Sequence, residues 1–266
     1  MLLNLCLLIA SALSTLSLYL GAASPSYWLI LPIFAMLYVA WAVIYLLVLF
    51  ISSLFMPTKE PIKKPKEVCR FFIVETMEYV MGLMRTKITV KGREKMPAEA
   101  CVMISNHRSC FDPMSALAVF KERRLAFISK ESNMKIPLVG TYIYHAGFFG
   151  IDRENGMRAL RTLKSAAELM KSTEIDMGIY PEGTRSKTGE LLEFKPGAFL
   201  LAKRADAPVV IMATRGTEKV VKNFPFRSTK VELEILEVIE KERVKELSID
   251  ELNAYVREVL ENALRK

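Results

Sequence analysis

The first 58 residues contain no Lys, Arg, Asp or Glu, so every charged side chain and the whole formal net charge of +8 lie in residues 59–266. A globule in water spreads charge over its surface, whereas a segment dissolved in hydrocarbon excludes it. The chain therefore divides into a membrane segment over 1–58, a basic juxtamembrane stretch with a helix over 59–86, and a soluble domain over 87–266. The apolar stretch breaks at Gly21 to Ser26, a Gly-Ala-Ala-Ser-Pro-Ser link that reads as a turn. Leu2 to Leu20 is just long enough to cross a bilayer core as a helix, though Ser11, Ser14, Thr15 and Ser17 dilute it. Leu29 to Phe55 is longer and spans with tilt, with Tyr27 and Trp28 at its start, where amphipathic rings prefer the interface. A cleaved signal peptide over 1–23 is the rival, but no Lys or Arg precedes residue 59 to make its basic n-region.

Two spans followed by Lys59, Lys63, Lys64, Lys66 and Arg70 predict a membrane-embedded helical hairpin. The positive-inside bias puts both ends, and the domain that follows, on the cytoplasmic side of a bacterial cytoplasmic membrane. A basic balance has two common partners, nucleic acid and anionic lipid. Cations directly after an apolar span favour lipid headgroups, each contributing on the order of 1 kcal/mol near an anionic surface. Residues 66–86 read as an amphipathic helix through Val68, Phe71, Phe72, Met77, Val80, Met81 and Met84. That helix either packs on the soluble domain or lies on the membrane surface.

From residue 87 strands and helices alternate. Lys87–Lys91, Cys101–Ser105, Leu125–Ser129, Ile175–Tyr180 and Val209–Ala213 read as strands, with Lys230–Val238 as an edge strand. Pro113–Phe120, Glu154–Lys171, Phe199–Arg204 and a closing Leu247–Arg265 read as helices. The expected fold is α/β, a mostly parallel central sheet flanked by helices. The chain has two His, and its four Cys (Cys6, Cys69, Cys101 and Cys110) form no C-x-x-C pair, which leaves little for a metal site and predicts reduced thiols.

Ligands of open α/β sheets gather beyond the carboxyl ends of the strands, and three such ends carry unusual residues. Asn106-His107-Arg108-Ser109-Cys110-Phe111-Asp112 follows the strand ending at Ser105. On a straight helix His107 and Asp112 would point about 140° apart. Asp112-Pro113, however, reads as an N-cap and first helical residue. His107 then lies in a loop, and Asp112 can fold back onto one ring nitrogen, leaving the other to take a proton. Read singly, the pair is a helix cap beside a polar loop residue. Gly150-Ile151-Asp152-Arg153 ends an apolar run, and Tyr180-Pro181-Glu182-Gly183-Thr184-Arg185-Ser186 follows a strand. Read singly, Arg153 with Asp152 and Arg185 with Glu182 are surface ion pairs.

Together, in this order, these segments resemble the glycerolipid acyltransferase family, especially its 1-acylglycerol-3-phosphate (lysophosphatidate) acyltransferases. Asn106, His107 and Asp112 meet its N-H-x-x-x-x-D signature, Ile151 to Arg153 its I-D-R run, and Tyr180 to Ser186 its [FY]-P-E-G-T-R-S. Ala207 to Ala213 meets the Pro-bearing apolar strand in part, with Ile211 and Met212 where many members carry a second Pro. The resemblance covers roughly residues 85–215. It implies His107 as general base, Asp112 as its orienter, and Arg153, Glu182, Gly183, Thr184 and Arg185 as the acceptor site. It further implies transfer of a fatty acyl group from acyl-CoA or acyl-carrier protein to the free hydroxyl of lysophosphatidate, giving phosphatidate, with no cofactor and no metal. Its partners are then membrane lipids, lysophosphatidate and the thioester, and no nucleic acid. Alternatives are another acceptor (glycerol 3-phosphate, another lysophospholipid or a lipid-linked amine), a Cys110 acyl-enzyme, or a non-catalytic membrane lipid-binding protein.

The charge-free N-terminus makes a prediction of its own. The protein stays with membranes through carbonate and high-salt washing; its release by salt alone would show that residues 1–58 do not insert.

Overall fold

The computed structural model describes residues 2–22, 26–58 and 62–265, so Lys59 of the basic exit and Ala23, Ser24 and Pro25 of the turn lie outside the described residues. The chain forms two compact units, Met1–Lys59 and Glu60–Lys266.

The first unit is a pair of helices, α1 (Leu2–Leu20) and α2 (Ile30–Leu54). Both are long and apolar enough to cross a membrane. The hydroxyls that dilute α1 are absorbed locally: Ser11 Oγ donates to Leu7 O at 2.6 Å and Thr15 Oγ1 to Ser11 O at 2.8 Å. Polar groups also tie the helices together. Tyr38 donates to Asn4 Oδ1 at 2.6 Å and Trp41 Nε1 to Ser14 Oγ at 3.2 Å, the kind of cross-helix bond that replaces water in hydrocarbon.

The second unit begins with α3 (Glu67–Leu83) and β1 (Thr86–Lys91) and continues through β2 (Val102–Ser105), α4 (Phe111–Val119) and β3 (Leu125–Lys130). Next come α5 (Val139–His145), β4 (Phe149–Ile151), α6 (Gly156–Thr173), β5 (Asp176–Ile179), α7 (Gly197–Ala205) and β6 (Val209–Arg215). The chain closes with α8 (Val220–Asn223), β7 (Thr229–Ile239), α9 (Lys241–Glu246) and α10 (Ile249–Leu264). Ser248 and Glu251 form a capping box on α10. The seven strands lie in the order β1-β7-β6-β2-β5-β3-β4. The run β6-β2-β5-β3-β4 is parallel, β7 is antiparallel to β6, and β1 is parallel to β7. β2, β5 and β6 are buried almost throughout, as strands covered on both faces are.

Two expectations are corrected. The strand at 230–238 is not an edge, because β1 pairs along its open side from Thr86↔Thr229 to Lys91↔Glu234. Asp112 is not the N-cap of α4: the helix starts at Phe111 with Cys110 as its cap, and Asp112 sits in the first turn. The short elements β4, α5 and α9 lack the length for a clear period and were not legible.

At the amino end of the strands the only charge in β5 is neutralised. Arg123 grips both carboxylate oxygens of Asp176, and Cys101 N donates to Asp176 Oδ1 at 3.0 Å. Burial, then the charge of Asp176, pushes the Cys101 thiol well above its usual range, so this cysteine is inert. At the other end β5 carries Gly178, whose missing side chain admits the ring of Phe127 from β3: a Cβ there would overlap that ring. We expect Gly178→Ala to destabilise the second unit by roughly 1–3 kcal/mol through overpacking. That is a fall in Tm of about 2–10 °C, checked by thermal denaturation.

Candidate active site

β2 delivers His107 to the carboxyl end of the sheet, and the residue before it locks the strand end. Asn106 Nδ2 donates to Thr214 O at 2.9 Å and Thr214 N returns a bond to Asn106 Oδ1 at 2.8 Å, joining β2 to β6. The His107 main chain is then held from both sides by the segment after β5. Its N–H donates to Glu182 Oε1 at 2.7 Å, and its carbonyl accepts from Ser186 N at 2.8 Å.

The imidazole is oriented by Asp112, whose Oδ2 lies 2.8 Å from Nδ1. A carboxylate only accepts, so Nδ1 carries the proton and Nε2 keeps its lone pair. The same oxygen accepts Arg108 N at 2.7 Å and Ser109 N at 2.8 Å, while Oδ1 takes the hydroxyl of Thr217. Asp112 is fully buried and His107 largely so. One face of the ring rests on Tyr180, 4.2 Å between centroids and 17° from parallel, and Tyr180 stacks in turn on Phe127 at 5.7 Å. Gly178 leaves the room for that stack.

Among the described residues no hydrogen bond reaches Nε2, and none joins a serine hydroxyl or the exposed Cys110 thiol to the ring. The site thus presents a base without a protein nucleophile. A hydroxyl or amine brought by a substrate can give its proton to Nε2 while attacking an electrophilic carbonyl.

Glu182 turns its carboxylate to the protein's own backbone. It is buried, with Oε1 on His107 N and Oε2 accepting Leu192 N at 3.0 Å. Burial raises its pKa, and those two backbone bonds pull it back down. Its side chain braces the catalytic loop. Asp152 is likewise occupied, turning the chain by accepting Glu154 N at 3.0 Å and Asn155 N at 3.2 Å and reaching Arg158 at 3.5 Å. Neither expected ion pair therefore forms among the described residues. Arg185 and Thr184 are exposed beside the loop. Arg153 is exposed and meets no carboxylate among the described residues; its packing against the protein lowers its pKa, which an anion would reverse. Gly183 supplies a left-handed turn at φ +66°, its N–H donating to Tyr180 O at 3.1 Å.

Known proteins resemble this chain. A family model described as Acyltransferase matches residues 87–215. Over that segment the chain is similar to the glycerolipid acyltransferase family. It is 33% identical to human 1-acyl-sn-glycerol-3-phosphate acyltransferase beta over 171 residues, 63% of this chain and 60% of that protein. It is 26% identical to the 1-acyl-sn-glycerol-3-phosphate acyltransferase of Salmonella typhimurium over 72% of this chain and 80% of that one. The crystal structure of the 1-acyl-sn-glycerophosphate (LPA) acyltransferase from Thermotoga maritima superposes with a TM-score of 0.63 at 27% identity, covering 84% of this chain and 88% of that chain. The chain spans 60% of the human relative's length and 63% of the yeast relative's.

Two supports of the candidate site lie past the matched segment, and no local pattern announced either. Thr217, on the turn after β6, completes the Asp112 carboxylate from 105 positions away. Arg257 on α10 donates to Leu192 O at 2.7 Å and Leu191 O at 3.3 Å, holding the segment whose Leu192 N–H meets Glu182. Arg108, inside the first motif, donates to Gly189 O at 2.6 Å and ties the same segment to the His107 loop.

The brace can be separated from acceptor contact by Glu182→Gln. The amide nitrogen cannot accept, so one of the two backbone N–H groups loses its partner. A displaced His107 lowers kcat by between about tenfold and 10²-fold. KM for a phosphorylated acceptor stays within about twofold, because uniform binding is untouched. Steady-state kinetics decide: a rise in acceptor KM at unchanged kcat would put Glu182 on the substrate instead.

Proposed function

We propose that this chain is a membrane-anchored 1-acylglycerol-3-phosphate O-acyltransferase that works by direct transfer. The observation that carries the proposal is the His107–Asp112 pair, with no protein nucleophile among the described residues bonded to Nε2. The free hydroxyl of lysophosphatidate gives its proton to Nε2 as its oxygen attacks the thioester carbonyl carbon. Asp112 stabilises the imidazolium that forms. The tetrahedral intermediate then expels the thiolate, which recovers the proton from Nε2, leaving phosphatidate, free thiol and a neutral His107. Positioned base catalysis of this kind contributes typically 10²- to 10⁴-fold. Arg153 and Arg185 take the acceptor phosphate, shaped by Gly183 and Thr184. The names of the human, yeast and Salmonella relatives support this acceptor. The donor is acyl-CoA or acyl-carrier protein, both acidic and both suited to a basic domain, and no further cofactor is required. The charge-free hairpin and its cationic exit support a membrane location with the catalytic domain in the cytoplasm.

The test is to incubate the purified full-length protein with lysophosphatidate and each thioester and to identify the product by mass. Binding of lysophosphatidate without acyl transfer from either donor would sink the enzymatic reading. His107→Ala should lose roughly 10²-fold or more. Arg185→Ala should raise KM for lysophosphatidate about tenfold or more, because charge-assisted bonds contribute roughly 1.5–3 kcal/mol. KM for the thioester should change little, and the slow reaction of monoacylglycerol should be nearly indifferent. Equal losses on both acceptors would remove the phosphate assignment.

A further inference from the structure

β1 and β7 run opposite to the other strands, so Thr86 and Thr229, where they begin, lie at the end of the sheet where β2 and β6 deliver His107 and Thr217. The loop between α8 and β7 and the last residue of α3 therefore share the catalytic end. Their surface chemistry is unusual. Phe226 is 87% exposed, Val221 66% and Leu83 54%, with Phe224 also exposed. Interleaved with them are Lys219, Lys222, Arg227 and Lys230, and residues 219–230 contain no acid.

The exposure is built in and does not come from an unformed loop. Val220 is fully buried and roots the segment. Phe224 N donates to Val220 O at 3.2 Å, Arg227 N to Asn223 O at 2.8 Å, and Asn223 Nδ2 to Thr229 Oγ1 at 2.9 Å. Arg85, two residues after Leu83, fastens the tip by donating Nη1 to Pro225 O at 3.0 Å, and its carbonyl accepts Thr229 N at 3.1 Å. These bonds fix the backbone that presents the exposed apolar side chains, and the bonds of Arg85 to Pro225 and Thr229 bring it beside the end of α3 that carries Leu83. Scattered apolar residues on a surface need no explanation, but a fixed cluster ringed by cations does.

We propose that the 219–230 loop, with Leu83, is an interfacial foot that seats the His107 end of the sheet on an anionic bilayer. Aromatic and aliphatic tips enter the boundary between headgroups and acyl chains, and the cations lie at headgroup phosphates. Nucleic acid fits less well, because the apolar members include Val221 and Leu83, which offer no stacking face to bases. A single-chain lipid would then reach Nε2 sideways from the bilayer without leaving it for water. The proposal goes beyond the acceptor assignment and does not depend on it, because the test reads lipid contact and not turnover.

The two tryptophans, Trp28 and Trp41, both lie in the hairpin. In full-length protein carrying Trp28→Phe and Trp41→Phe, Phe226→Trp becomes the only fluorescent indole. A matched control carries Glu242→Trp instead, at the far end of β7, whose 11 residues span about 35 Å. Both are reconstituted into phosphatidylglycerol-rich vesicles containing phosphatidylcholine brominated on its acyl chains. The reporter at 226 should be quenched at least about threefold more than the control. Its quenching should fall to less than about half in wholly phosphatidylcholine vesicles, or when Lys222→Glu and Arg227→Glu are added. Quenching no greater than the control overturns the foot. A reporter shielded from both bromolipid and aqueous iodide overturns it as well, since the patch is then covered by protein. Strong quenching indifferent to lipid charge and to the double reversal overturns the assignment of the cations to headgroups.

Discussion

The catalytic end of this fold depends on one buried carboxylate. Asp112 is inaccessible to water, and a charge in that position costs several kcal/mol unless every lone pair is used. Here it is surrounded by four donors from two places: the imidazole Nδ1 and two backbone N–H groups of its own loop, and a hydroxyl from the turn after β6. The loop is curled because those N–H groups must converge on a single oxygen. That curl sets the imidazole, which fixes the tautomer and leaves Nε2 as the lone-pair donor. The Asn106–Thr214 bonds keep the strands that supply these donors in step.

A second buried carboxylate, Glu182, works on the main chain where Asp112 works on the ring. Between them His107 is held at its backbone N–H, at its carbonyl through Ser186, at Nδ1, and across one ring face by Tyr180. Preorganisation of this kind is what positions a base to within the few tenths of an ångström that transfer requires. It has an electrostatic consequence. With Glu182 and Asp152 committed to backbone N–H groups, Arg153 and Arg185 have no carboxylate partner among the described residues, which supports the proposal that they meet a phosphate.

Strand direction organises the rest. Five parallel strands place the ends of β2, β4, β5 and β6, and with them the three motifs, on one side. The reversed β7 and β1 bring their own beginnings to that side, which is how a basic, aromatic loop comes to border the site. α10, far along the chain, reaches back through Arg257 to steady the segment that follows β5. The opposite end is closed by the Arg123–Asp176 pair and carries none of the motif residues.

The amino-acid order by itself determined the division at residue 58, the hairpin, the α/β alternation and the three motifs, because each rests on local composition, period or spacing. It also placed Asp112 near His107, since five residues of loop can close on themselves. The edge assignment of the strand at 230–238 and the N-cap role of Asp112 failed for a common reason: a neighbour distant in sequence, or a carboxylate drawn to donors on the other side, decided the outcome. Only the tertiary structure could show Glu182 as a brace, Thr217 and Arg257 as supports, and the Phe127–Tyr180–His107 stack. Each of these is a contact between segments far apart in the chain. Where a buried donor finds its acceptor is set by how the strands are ordered in the sheet, and no local stretch of sequence carries that order.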